Sequence, residues 1–440
     1  MSSSMRHTFV GFGFGAIQAG LFLCEASRSG NFRRLVVAEV QPNVVKALRQ
    51  SAGRYTVNIA YSDRIEAEQI GPVEIVDPGS AEGAMSLVES VAEAEEIATA
   101  LPSIRNYISE TAGSVHRILA EGLRRKAASD GVPAVIYTAE NHNQAAEILE
   151  TSVMEAIPAH EHDGVRSRVR FLNTVIGKVS GVIADPDEIR DRGLIAIAPS
   201  ETRAFLVEAF NRIFISNIDF DSRSGNPVFQ RGITTFEEKP NLLPFKEAKL
   251  YAHNSTHALA AYIGAVWGAL RITDLKTAPG VSEFLEAALN EESGNALIRR
   301  HRGFGAIFTR EGYRAYATDL LERMFNPYLG DTVDRVGRDP ARKLEWDDRL
   351  VGTIRVGLQQ GVTMRRYAMG AAAAVTQLNP SAFDPHLPLQ KLLDPLWHAA
   401  SPGPEEKRAV VDLMEEGRKK LRLWRDSGFP HLENFMRQTA

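Results

Sequence analysis

Residues 7–40, HTFVGFGFGAIQAGLFLCEASRSGNFRRLVVAEV, decide the fold. A short apolar run at 7–11 reads as a buried strand, and glycines follow at Gly11, Gly13, Gly15 and Gly20. The segment AGLFLCEASRSG then reads as a helix, and residues 34–40 as a second strand. Strand, glycine turn, helix, strand is the setting in which glycines carry chemistry. They let the backbone approach a pyrophosphate, and the helix start holds its charge. The spacing fits imperfectly. From Gly13 the turn reads Gly-Phe-Gly-Ala-Ile-Gln, with Gln18 where a third glycine is usual. From Gly11 it reads Gly-Phe-Gly-Phe-Gly-Ala, the looser form, so Phe14, Ala16 and Ile17 fall against the expected phosphates. Glu39 ends the second strand, about twenty residues on, where a carboxylate bonds a ribose 2′-OH and repels a 2′-phosphate. The expectation is an NAD-binding turn; the plain alternative is an ordinary tight strand–helix turn.

Outward from there, residues 55–78 alternate like further strands, and 80–130, rich in Ala and Glu, read as helical. Residues 132–138 form another buried strand and lead into Ala139-Glu140-Asn141. Asn141 thus sits at the carboxyl end of a strand, the edge where open α/β sheets bind ligands. A helix cap on the next segment is its alternative role. PAHEHD at 158–163 reads as a solvated loop before a metal cluster. Residues 168–183 and 194–199 look strand-like, and 200–245 (with FDSRSGNP and EEKPNLLP) look like a linker. From about residue 250 the chain is helix after helix, and MGAAAAV at 369–375 suggests close helix packing. The fold expected is an α/β Rossmann-type domain with insertions over 1–245, then a mainly α-helical domain over 246–440.

Residues 244–264, PFKEAKLYAHNSTHALAAYIG, hold Lys249, Asn254 and His257 in a Lys-x4-Asn-x2-His spacing. Apolar residues recur at helical spacing from Ser255, and Asn254 or Ser255 is placed to cap that helix. Lys249 would then precede a helix start, whose positive dipole end pushes an ammonium toward its neutral form. A neutral lysine can act as a general base, Asn254 can donate to a developing alkoxide, and His257 can bond a hydroxyl. A loop lysine, a cap and a half-buried histidine are the bland alternatives. Further on, Arg335, Arg338, Arg342 and Lys343 cluster in a Gly- and Pro-bearing stretch suited to a phosphate or polyhydroxy anion. Local ion pairs to Asp331, Asp334 and Asp339 are the alternative.

The net charge is −4 with no dense basic run, which argues against nucleic acid as a partner. The single cysteine, Cys24, permits no internal disulfide and fits a reducing cytosol, so a cytoplasmic location is expected. No apolar run reaches membrane-span length. His253 and His257, four apart, invite a zinc reading, but the catalytic Glu of the usual zinc helix is Asn254 here. No metal is expected, and the oligomeric state is left open.

KLYAHNSTHALAAYIG at 249–264, EESGNALIRRH at 291–301 and NPYLGDTVDRVGRDPARKLEWDDRLVG at 326–352 are long, ordered matches to one family. The chain resembles the polyol-specific long-chain dehydrogenases over most of its length. The resemblance implies metal-independent, NAD-linked oxidation of a small-molecule polyol or polyol phosphate. It places the catalytic motif on Lys249, Asn254 and His257, the strand-end asparagine on Asn141, and the substrate-orienting arginine on Arg335. By the same resemblance Arg338, Arg342 and Lys343 become candidates for a phosphate end. One departure stands out: the family's Val-Asp-Arg-Ile reads Ile176-Gly177-Lys178-Val179 here. The first expectation is interconversion of a sugar-alcohol phosphate and a ketose phosphate; the absent carboxylate keeps two alternatives beside it, a free polyol or aldonate as substrate and, behind that, a dinucleotide-binding sensor without turnover.

Overall fold

A computed structural model describes residues 7–129, 131–220 and 229–438. The chain divides into two compact units, one ending at Leu242 and the other beginning at Leu243.

The first unit carries twelve strands among its described residues: β1 (His7–Phe12), β2 (Phe32–Ala38), β3 (Tyr55–Ala60), β4 (Ile65–Ile70), β5 (Glu74–Val76), β6 (Glu96–Thr99), β7 (Ala134–Thr138), β8 (Val169–Ile176), β9 (Ser180–Ile183), β10 (Ala204–Glu208), β11 (Ile213–Ser216) and β12 (Glu237–Lys239). Eight of them form one sheet in the order β12-β11-β8-β7-β6-β1-β2-β5. Strands β5, β2, β1, β6, β7 and β8 run parallel. Chain order spreads leftward and rightward from the β1–β6 pair, so the topological switch point lies at the carboxyl end of β1. Residues Thr8 to Phe12 of β1 are all buried, as a strand covered on both faces must be. One face packs on helices Ala81–Glu93, Val115–Ala128 and Ala145–Glu155. The other packs on residues 18–26 and on a second, four-stranded sheet, β4-β3-β10-β9.

Three expectations change here. Residues 80–130 are not all helix, because β6 lies within them and pairs with both β1 and β7. Its four residues, Glu96-Ile97-Ala98-Thr99, are all buried although both ends are polar, so neither an apolar run nor an alternation marks the strand. Residues 194–199 are irregular, and the strand comes later as β10. Residues 200–245 are no linker: β10 joins the small sheet and β11 and β12 extend the large one. Of FDSRSGNP, everything after Phe220 lies outside the described residues.

The second unit is helical. Its core is the helix Arg365–Leu378, buried from Arg366 to Thr376 and packed on Ser255–Trp267 and Pro404–Asp426. Small residues are required there. A Cβ on Gly370 would stand 2.1 Å from Leu259 Cδ1, and one on Gly417 2.6 Å from the Ala368 backbone. No described helix is long and apolar enough to cross a membrane.

Candidate active site

In the first unit, the glycine turn sits at the switch point. Gly13 has φ +84°, and a Cβ there would meet the Ala100 carbonyl oxygen at 2.9 Å. Only glycine combines that conformation with that approach. A Cβ on Gly15 would meet nothing within 4 Å, so its backbone faces open space. The misplaced Gln18 is explained by an exchange of sizes. Its amide nitrogen lies 2.1 Å from where a Gly11 Cβ would be, so Gly11 makes room for Gln18. Close packing of the helix falls instead to Gly20, whose Cβ would stand 2.4 Å from Val207 of β10. Phe14 and Ala16 are buried and Ile17 is half-buried; the Phe14 ring meets Tyr55 and Phe205 edge-on. These side chains are core, and only their backbone faces the turn.

Glu39 is buried at the end of β2. One carboxylate oxygen accepts from the Phe14 N–H at 3.0 Å and the other from the Gln41 N–H at 2.7 Å. It fixes the turn, and its remaining lone pairs can take a ribose diol. Asn141 is exposed at the end of β7 and caps nothing, because the next helix starts at Ala145. The preceding Glu140 is buried, accepts from Thr99 Oγ1 and Leu101 N–H at 2.9 Å each, and burial raises its pKa. It ties the ends of β6 and β7 together beneath the ligand edge.

Gly177 and Lys178 follow β8 at that same edge. A Cβ on Gly177 would meet only Phe210, at 3.7 Å, so space for a side chain exists. Lys178 turns into the protein and donates to Asn211 Oδ1 at 2.6 Å and to the Phe210 carbonyl at 3.2 Å. Burial lowers its pKa to about 8.

In the second unit, the helix start expected at Ser255 does not exist. Helix runs from 243 to 267 in three joined pieces: Leu243–Ala248, a π-helical turn Lys249–Asn254, and Ser255–Trp267. Asn254 and Ser255 therefore cap nothing. The Ser255 hydroxyl instead donates back to the Tyr251 carbonyl at 2.7 Å, a local bond that competes with capping. The dipole argument for Lys249 falls with the cap. Its pKa is still lowered to about 8, by burial first and then by the Arg349 and Lys246 cations. No carboxylate among the described residues lies within ion-pair distance of it.

The π turn also sets which residues share a face. In an uninterrupted α-helix Asn254 and His257 would lie roughly 140° and 80° round the axis from Lys249, at about 100° per residue. One extra residue in the turn rotates both back by about 100°, bringing all three into a sector of roughly 60°. His253 lies beside them, its pKa pushed well below normal by burial and by Arg323, His257, Lys249 and Arg349. A neutral imidazole results.

His257 Nε2 lies 3.1 Å from Asp331 Oδ2, and the other Asp331 oxygen meets the Arg335 guanidinium. Asp331 is held there because the Ile272 N–H donates to its carbonyl at 3.0 Å, beside the Arg271–Thr332 bridge. Helix Val333–Gly337 then packs on Ser255–Trp267, with the Tyr262 hydroxyl on the Gly337 carbonyl at 2.8 Å. The remaining expected cations divide. Arg342 is committed to Asp339 at 2.8 Å and Asp348 at 3.3 Å. Lys343 is buried with its amine on the Arg338 carbonyl, and burial lowers its pKa to about 8. Arg338 is exposed, and its guanidinium has no ion pair among the described residues.

The sequence offers Asp331 only as an ion-pair partner of the arginine cluster, which it is for Arg335, and it does not single out Arg349. Asp331 and Arg349 lie inside the resembling stretch 326–352, which was the available signal; His253 was weighed only as a zinc ligand. Among the described residues no group of three or more His, Cys, Asp or Glu side chains gathers to hold a metal.

Two family models match the chain: the mannitol dehydrogenase Rossmann domain over residues 7–225 and the mannitol dehydrogenase C-terminal domain over 241–398. The mannitol-1-phosphate 5-dehydrogenase of Bacillus licheniformis is 31% identical over 365 residues, covering 83% of this chain and 86% of that protein. Among solved structures, the Pseudomonas fluorescens mannitol 2-dehydrogenase complex with NAD and D-mannitol aligns with a TM-score of 0.69 at 15% identity, over 99% of this chain and 95% of that one. A substrate-free D-sorbitol dehydrogenase aligns with a TM-score of 0.72 at 13% identity, over 97% and 94%.

Proposed function

The chain belongs to the mannitol dehydrogenase family, and from that premise we propose that it interconverts a sugar-alcohol phosphate and a ketose phosphate, with NAD as cofactor and Lys249 as general base. The observation that carries this is the π turn, which gathers a depressed lysine, Asn254 and His257 on one face.

NAD, when bound, accepts the hydride of the oxidation. The glycine turn suits it: Gly15 leaves its backbone open, and buried Glu39 offers acceptor capacity to a ribose diol. In that reaction neutral Lys249 takes the proton of the reacting hydroxyl. On this reading Asn254 donates to the oxygen on which charge develops, the role that the family resemblance also gives Asn141. His257 and Arg335, both held by Asp331, bind neighbouring hydroxyls. Reduction reverses the proton transfer, so it needs Lys249 protonated.

A phosphate on the substrate is supported by the Bacillus relative and by Arg338, whose guanidinium has no ion pair among the described residues. A charge-assisted bond to it is worth about 1.5–3 kcal/mol, or tenfold or more in KM. The test pairs hexitol and pentitol 1-phosphates with their free polyols and with aldonates, in wild type and in Arg338→Ala. A phosphate advantage that disappears in Arg338→Ala supports the phosphorylated substrate. Equal or better turnover of the free polyol or aldonate replaces it with the free compound and leaves the lysine chemistry in place.

A further inference from the structure

A π turn is a rare insertion in a helix and is frequent at functional sites. The surroundings of Lys249–Asn254 are unusually rich in hydroxyls. Ser255 Oγ donates to the Tyr251 carbonyl at 2.7 Å, and Thr353 Oγ1 reaches the same oxygen at 3.3 Å. One residue further, Thr256 Oγ1 lies 2.6 Å from the Tyr367 hydroxyl. Tyr367 in turn donates to Ser293 Oγ at 3.1 Å, which lies 3.3 Å from the Tyr313 hydroxyl. Ser293 belongs to a second π turn, Ala288–Gly294. The neighbouring Glu292 accepts the backbone N–H groups of Arg366 and Tyr367 at 2.9 and 3.2 Å. Thr256, Ser293, Tyr313 and Tyr367 are each no more than 1% exposed.

One hydroxyl therefore ties the central helix of the unit to Ser293, inside the second π turn, and to Thr256, two residues past the end of the first and next to His257. We propose that Tyr367 is a positioning residue, whose hydroxyl, through Thr256, keeps the Lys249–Asn254 turn in angular register with His257. Reversion of that turn to α-helix would swing Lys249 about 100° round the axis, away from both partners. The proposal rests on Lys249 as the general base.

Three variants and one control test it. Tyr367→Phe and Thr256→Val each remove one oxygen and keep the packing; Thr256→Ser keeps the hydroxyl. In Tyr367→Phe and Thr256→Val, kcat per NADH-binding site falls on the order of tenfold to hundredfold, as misalignment of a reacting group does. NADH affinity and the circular dichroism spectrum stay unchanged. The pH at which polyol oxidation is half-maximal moves up, because Lys249 leaves its buried place beside Arg349, Lys246 and His253. Thr256→Ser retains wild-type kcat and pH profile. A merely structural tyrosine would lower Tm and leave kcat per site and the pH profile alone, and that result in both variants overturns the proposal. Lys249→Ala is the control. If it is inactive while both variants match wild type, only the clamp fails; if it turns over normally, the base assignment fails and the clamp's role fails with it.

Discussion

Asp331 stands between His257 and Arg335: one oxygen lies 3.1 Å from the imidazole Nε2 and the other meets the guanidinium. Asp331 is 4% exposed, whereas Arg335 is 45% exposed. The carboxylate thus anchors from inside, and the arginine presents its outer face to solvent. A carboxylate facing Nε2 favours the tautomer with its proton on that nitrogen. Asp331→Asn keeps the shape and removes the charge. In the polyol reaction kcat/KM should fall by roughly tenfold or more, the scale of one charge-assisted bond. NADH binding should not change. Steady-state kinetics beside a fluorescence titration check both, and an unchanged kcat/KM would remove Asp331 from the site.

If Lys249 is the general base, as proposed, it sets the pH dependence. With its pKa lowered to about 8, polyol oxidation rises with pH through about 8 and ketose reduction falls through the same range. The Arg349 cation helps to hold that pKa down, so Arg349→Gln should move both limbs upward. The same shift has a stability consequence. Below about 8 the lysine is charged in both the folded and unfolded chain, and burial of the charge opposes folding in full; from 8 to 10.5 only the unfolded chain keeps the proton and the penalty shrinks. Lys249→Met should therefore be inactive yet more stable than wild type at pH 7, with the gap closing as pH rises toward 10.5. Urea denaturation across pH measures it, and a variant less stable at pH 7 contradicts the buried-charge account.

Such a lysine is legible in sequence as chemistry but not as geometry. Lys249, Asn254 and His257 stand at a fixed spacing, and the turn from Gly11 to Gly15 with Glu39 beyond it announces a strand–helix crossing. Composition does not encode that Lys249 begins a π turn. Inserting one residue into a helix leaves the apolar period nearly intact on either side, and Asn254-Ser255 mimics a cap. Asp331 was hidden for a different reason. It reaches His257 only because Arg271 and Thr332 bridge two distant segments, and a local reading pairs it with its neighbours. Strand β6 is too short and too uniformly buried to show a period. Gln18 looked like a flaw in the glycine motif until Gly11 was seen to give it room.

Glu39 bears on cofactor choice. Its carboxylate is engaged by two backbone N–H groups; if the turn binds NAD as proposed, that fixed charge would repel a 2′-phosphate. Glu39→Ser should raise the ratio of kcat/KM for NADP over NAD by at least about tenfold, the repulsion of one charge at close range. It should also lower Tm, because the Phe14 and Gln41 N–H groups lose their acceptor. A lower Tm with an unchanged cofactor ratio would leave Glu39 as a clamp on the turn and nothing more.

Gly15 and Gly20 should separate binding from packing within one turn of chain. A Cβ on Gly20 would stand 2.4 Å from Val207 Cγ1, so Gly20→Ala forces the small sheet away from the helix. Overpacking of this kind costs about 1–3 kcal/mol, only partly offset by the better helix propensity of alanine. Tm should fall while NADH affinity per folded molecule holds. Gly15→Ala has the opposite signature. Its Cβ meets no protein atom within 4 Å, so stability should change little. The same methyl would stand in the space through which a pyrophosphate approaches the backbone, and NADH affinity should drop by at least about tenfold, the cost of a lost charge-assisted bond. Thermal unfolding and NADH fluorescence titration on the two variants read both quantities. A Gly15→Ala variant that binds NADH normally would mean that the cofactor does not use this turn, whatever the turn's resemblance to one that does.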